Sequence, residues 1–212
     1  LDLREDAANE VTAELARDFG TRSLAVRVDV TQEADVDRAI SEVTSRLGGL
    51  DILVNNAGIA LPAPLVEFSL DAWQKTLAVN LTGYFLVGRA AARVMVRQGR
   101  GGSIVNISSK SGVRGSAEHS AYNATKFGEI GLTQGWAREL ARHGIRVNAI
   151  SAGPIRTLAA AGVPGFKTMY RHFSEVAPLR QNITVEDIGG AAVFLCSDLA
   201  AKVTGEVLYV DA

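Results

Sequence analysis

Apolar residues along the chain fall into two alternating patterns. In one, positions such as Ala8, Val11 and Leu15, or Val36, Ile40 and Val43, recur every three or four residues, the spacing that gathers side chains on one helix face. In the other, short and nearly continuous apolar runs occupy 24–28, 50–54, 103–107, 145–150 and 205–210. Runs of that length without polar alternation fit strands covered on both faces of a parallel sheet. Helical stretches separate the runs, at 7–19, 31–46, 69–97, 121–142 (stopped by Gly144) and from Thr184 onward. Strand and helix taking turns in this way predict the α/β class: a doubly wound parallel sheet in a single domain.

Composition narrows the partners. The 212 residues suffice for one full core, and no Pro/Ser-rich linker or charge run divides them. With 22 basic and 23 acidic residues the net charge is -1, which builds no field for nucleic acid or an anionic membrane, so a small-molecule substrate is favoured. No apolar run approaches the roughly 20 residues of a membrane span, and no signal peptide opens the sequence. Cys196 is the single cysteine and reads as a small core residue; a reducing compartment, most simply the cytoplasm, follows. His119, His143 and His172 lack metal-ligand spacing, and no metal is expected.

The chemistry concentrates after the 103–107 run. Tyr122 and Lys126 are four apart, hence one turn from each other on a helix. A fixed ammonium beside a phenol favours the phenolate, so Tyr122 can both give and take a proton. Ser109 lies where the strand ends, the usual address of chemistry in open α/β sheets, and its hydroxyl can hold the same substrate oxygen.

Ser109 with Tyr122-x-x-x-Lys126 resembles the short-chain dehydrogenase/reductase superfamily. Its companions Asn55-Asn56-Ala57-Gly58, Asn80 in Val79-Asn80-Leu81-Thr82-Gly83, and Gly153-Pro154 fall in the family's order, and the likeness covers essentially all 212 residues. The resemblance implies a Rossmann-like domain that binds NAD or NADP and assembles as a homotetramer or homodimer. It gives Asn80, Ser109, Tyr122 and Lys126 catalytic roles: Lys126 also bonds the nicotinamide ribose, and Asn80 holds a water that links the lysine to solvent. It assigns the cofactor to Asp2, Asp29, Val30, Asn56, Ala57, Gly58, Tyr122, Lys126, Pro154, Ile155 and Thr157.

Asp2 falls near the end of the family's second strand, where a carboxylate bonds the adenosine ribose and repels a 2′-phosphate, which favours NAD. A helix N-cap competes for Asp2, and Arg4 leaves NADP open. Asp29 touches the adenine edge in the family, while a helix start near Thr31 competes for that turn. Residues 158–176 should cover the substrate pocket. The family's first strand and glycine-rich loop have no counterpart in 1–212, so the domain reads as N-terminally incomplete.

Two branches of the family compete. Residues 107–112 and 125–134 are similar to sugar-alcohol and sugar-alcohol-phosphate dehydrogenases, whereas 151–160, 184–189, 194–198 and 204–206 resemble bacterial enoyl-acyl-carrier-protein reductases. Those enoyl reductases place their tyrosine seven residues before the lysine, and here that position is His119. The expectation is therefore transfer of hydride between nicotinamide and a carbonyl or secondary alcohol of polyol, sugar or 3-oxoacyl type, with C=C reduction and a non-catalytic Rossmann-like binding protein as alternatives.

Overall fold

A computed structural model describes residues 1–156 and 165–212. Four parallel strands, β1 (Ile52–Asn55), β2 (Gly102–Ser109), β3 (Ile145–Ala152) and β4 (Val207–Val210), lie side by side in chain order. The register sets Asn55 opposite Asn106 and Ser109 opposite Ala152, so the carboxyl ends of β2 and β3 finish level. Around them run α1 (Glu5–Phe19), α2 (Glu33–Leu47), α3 (Leu70–Leu77), α4 (Gly83–Gln98), α5 (Ser120–Leu140), α6 (Phe166–Val176) and α7 (Val185–Cys196). The helix starts follow ordinary cap chemistry. Ser69 accepts the Ala72 N–H, and Thr184 and Asp187 cap each other reciprocally, as the Thr-x-x-Asp spacing implies.

Neighbouring residues of each strand face opposite layers. Ile104 of β2 and Val147 of β3 join the cluster made with α4, α5 and α2, around Val87, Ala91, Met95 and Ala137. Val105 and Ile150 point the other way and pack with Leu195 and Ala200, beside Ile188 and a partly buried Cys196. Hence α4 and α5 cover one face and α7 the other. Successive steps β1→β2→β3→β4 all move the same way along the sheet, so the last crossover has the opposite hand to the two before it. Left-handed crossovers are rare. The chain between β3 and α7 changes face, and on the way α6 passes over the carboxyl ends of the strands.

The run 24–28 does not become a strand of this sheet. It makes one parallel bridge, Asp2 opposite Arg27, with N–H···O distances of 3.4 Å (Asp2 to Val26) and 2.9 Å (Val28 to Asp2). A ladder needs a partner along its length, and here the run meets one only at Asp2. Val26 and Val28 stay buried in the cluster with Val36 and Ile40 of α2, so side-chain burial holds the segment.

The helix expected over 69–97 forms with one irregularity. Between α3 and α4 the backbone opens into a single π-helical turn, Ala78–Thr82, with Asn80 at its centre. Such one-turn bulges gather at functional sites, and this one explains how a poor helix former sits mid-helix: its side chain is fully buried and bonded elsewhere. Among the described residues no helix is long and apolar enough to cross a membrane, and no cluster of three or more His, Cys, Asp or Glu could hold a metal.

Candidate active site

A cavity of about 480 Å³ opens at the carboxyl ends of β2 and β3. Ser109, Tyr122 and Lys126 all line it, together with Asn56, Gly58, Pro154 and Ile155. Each is delivered by the fold: Ser109 by the end of β2, Tyr122 and Lys126 by the first turns of α5, Pro154 and Ile155 by the exit of β3. Phe166 and Met169 of α6 close one side.

Ser109 accepts a hydrogen bond from the Ser111 N–H at 3.2 Å, which fixes its hydroxyl oxygen in a tight turn. Gly112 follows because nothing larger fits: an added Cβ would stand 2.6 Å from the Lys126 carbonyl and 2.8 Å from the Ser108 hydroxyl. That close approach docks the β2 turn against α5. His119 stands edge-on to Tyr122, ring centroids 6.0 Å apart, with its Nδ1 2.7 Å from the Ala117 carbonyl.

Lys126 is buried, its Nζ 5.5 Å from the Tyr122 ring centroid and 5.3 Å from that of Tyr84. The ammonium donates to the Ile107 carbonyl at 2.9 Å and to Glu129 Oε2 at 3.1 Å, with Oε1 at 2.9 Å. Glu129 is fully buried, and burial pushes its carboxyl up to about 7 although Lys126 and Ser108 pull the other way. The Tyr84 hydroxyl donates to the same Ile107 carbonyl at 2.9 Å, and burial, with Glu129 nearby, holds its phenol well above the ordinary tyrosine range. Sequence reasoning missed Glu129, Tyr84 and Lys110, another lining residue. The i, i+3 spacing of Lys126 and Glu129 was the available signal.

Asn80 makes no direct hydrogen bond to Lys126. Its Oδ1 accepts the Ile59 N–H at 2.9 Å, and its Nδ2 donates to the Ile59 carbonyl at 2.9 Å and to Thr125 Oγ1 at 3.3 Å. It thus pins the segment after β1 to α5. Asn55 ties the sheet to α4 through the Tyr84 carbonyl at 3.0 Å and reaches Asn106 at 3.3 Å.

The expected cofactor residues divide. Asn56, Gly58, Pro154 and Ile155 stand at the cavity, and Ala57 lies between the first two. Asp29 is engaged in its own turn, accepting from the Thr31 N–H at 3.0 Å and hydroxyl at 2.7 Å, while Val30 packs on Gly83. Asp2 is exposed and accepts from the Arg4 N–H at 2.8 Å. Neither Asp2, Asp29 nor Val30 lines the cavity. Thr157 lies outside the described residues. The set therefore fits the nicotinamide end of a dinucleotide: two hydroxyls, an ammonium, and the Pro154–Ile155 backbone at the strand ends, in a cavity of small-molecule size.

The family described as Enoyl-(Acyl carrier protein) reductase matches residues 1–212. A short-chain type dehydrogenase/reductase from Mycobacterium marinum superposes with TM-score 0.92 at 34% identity, covering 99% of this chain and 82% of that one. The chain belongs to the short-chain dehydrogenase/reductase superfamily. Within it, the 3-oxoacyl-[acyl-carrier-protein] reductase of Aquifex aeolicus is 37% identical over 206 residues, 97% of this chain and 82% of that protein. A gluconate 5-dehydrogenase from Burkholderia cenocepacia, solved with NADP and tartrate, superposes with TM-score 0.90 at 34% identity over 100% of this chain and 82% of its own. Like these superfamily members, the chain is an oxidoreductase.

Proposed function

We propose that the chain transfers hydride between a nicotinamide dinucleotide and a carbonyl or secondary alcohol of polyol, sugar or 3-oxoacyl type. One observation carries the reading: the Ser109 and Tyr122 side chains line a single cavity with the Lys126 ammonium behind the phenol. Bound dinucleotide supplies the hydride or accepts it. Tyr122 gives the proton to the substrate oxygen in reduction and takes it in oxidation, Ser109 holds that oxygen, and Lys126 places its ammonium beside the phenol. Asn56, Gly58, Pro154 and Ile155 hold the nicotinamide end, and Asn80 keeps the segment after β1 in place. A carboxylate at Asp2 favours NAD over NADP. Phe85 of α4 and Phe127 of α5, both exposed, support a homodimer or homotetramer joined along these helices.

Reduction of a C=C bond is the second reading, favoured by the description of the matching family. His119 at the position seven before the lysine weighs against it, because imidazole replaces the phenol that arrangement needs. An assay with NADH and NADPH against ketones, polyols, 3-oxoacyl and enoyl thioesters separates the two. Turnover of carbonyl or alcohol substrates, lost at least 100-fold in Tyr122→Phe with cofactor affinity kept, is the expected result. Turnover of enoyl thioesters alone, or full activity in Tyr122→Phe, overturns it.

A further inference from the structure

The cavity has a sign. Among the described residues, none that lines it carries a carboxylate. Its lysines are Lys126 and Lys110. Lys126 is engaged by Glu129 and Ile107, as described. Lys110 is different: it follows Ser109 directly, is partly buried, and has no hydrogen bond or salt bridge from its ammonium among the described residues. Its Nζ stands 5.0 Å from the ring centroid of Phe173 on α6, so a ring face replaces part of its water without supplying a counter-charge. Burial and the neighbouring Arg114 both push the ammonium down from the ordinary lysine range, while the charge of Asp211 acts the other way without forming an ion pair with it. A cation so placed gains most from an anion brought in by a ligand.

We propose that Lys110 determines specificity by binding an anionic group, a carboxylate or phosphate monoester, on the substrate whose alcohol or carbonyl meets Ser109 and Tyr122. The inference rests on the oxidoreductase reading and names its substrate class. The adjacency of Ser109 and Lys110 ties the two contacts together: the residue holding the reacting oxygen and the residue holding the anion share one turn, which Gly112 docks on α5.

The test compares a neutral polyol of four to six carbons with the matching aldonate and the matching polyol monophosphate. Wild type should show kcat/KM about 10- to 100-fold higher for at least one anionic member, the range a charge-assisted hydrogen bond gives. The arm that responds tells carboxylate from phosphate. Lys110→Gln should erase that advantage while leaving the neutral polyol within about twofold, and Lys110→Arg should keep most of it. Binding of the same anions by calorimetry in Tyr122→Phe protein gives a readout independent of turnover, and adding Lys110→Gln should weaken it about tenfold or more. Equal losses on neutral and anionic substrates, or anion binding indifferent to Lys110→Gln, overturn the proposal. An anionic-substrate advantage that survives Lys110→Gln, in a protein whose turnover still depends on Tyr122, sinks this inference and leaves the hydride-transfer reading intact; turnover indifferent to Tyr122 sinks the latter.

Discussion

The carboxylate of Glu129 stands 2.9 Å from the ammonium of Lys126, and both side chains are buried. Taking the pair out of water costs more for the carboxylate than the lysine returns, which is why its titration moves up to about 7 from an ordinary 4.5. The folded state therefore holds a proton that the unfolded chain has lost between those values. The group's contribution is full below about pH 4.5 and disappears as pH rises through 7, with a slope of about 1.4 kcal/mol per pH unit. Glu129→Gln should lack this slope, so the stability difference between variant and wild type should drift in the variant's favour from pH 5 to 7. Denaturant melts across that range check it; parallel profiles would show that the pair does not titrate there.

Ser109 offers the cavity a hydroxyl whose oxygen is already held by the Ser111 N–H. Ser109→Ala should lower kcat by about 10²- to 10³-fold, the size of losing one donor to a developing oxyanion. Cofactor affinity, followed by nicotinamide fluorescence, should stay within about twofold.

Asn80 satisfies both backbone groups of Ile59 at once. Asn80→Leu keeps similar bulk and strands both, so stability should fall by about 2–4 kcal/mol. Because the bonds pin the segment that carries Asn56 and Gly58 to the α3–α4 junction, cofactor affinity should fall with it. An unchanged urea midpoint would refute the assignment.

Gly112 permits the contact that seats the Ser109–Lys110 turn on α5. Adding one methyl in Gly112→Ala forces that turn off the helix, at about 1–3 kcal/mol of overpacking. Activity should drop more than stability alone explains, since Ser109 moves relative to Tyr122. Kinetics at a temperature where the variant remains fully folded isolate this second effect.

Much of this arrangement could be read from local pattern. Continuous apolar runs marked β1 to β4, although only β2 and β3 are covered on both faces and β1 leaves Ile52 and Val54 exposed, and the Tyr122–Lys126 spacing placed both groups on one helix turn in the same cavity. The run 24–28 failed as a strand because pairing is a property of neighbours, and its composition could report only that it would be buried. The π turn at Asn80 was invisible for a related reason: its residues are compatible with a helix, and the opening is fixed by contacts with Ile59 and Thr125. Glu129 escaped notice since a charged residue three places after a lysine ordinarily signals a solvated helix face. Lys110 escaped it because a sequence cannot say which cation lacks a partner.

The reversal of hand between β3 and β4 bears on how new substrates could be accommodated. A chain obliged to cross from one side of the sheet to the other supplies a roof for the cavity by topology, whichever residues compose it. Phe166 and Met169 belong to that roof, whereas Ser109, Tyr122 and Lys126 hang from β2 and α5 beneath. Selection can therefore recut the ceiling while the floor stays level, and one scaffold can serve substrates of many shapes.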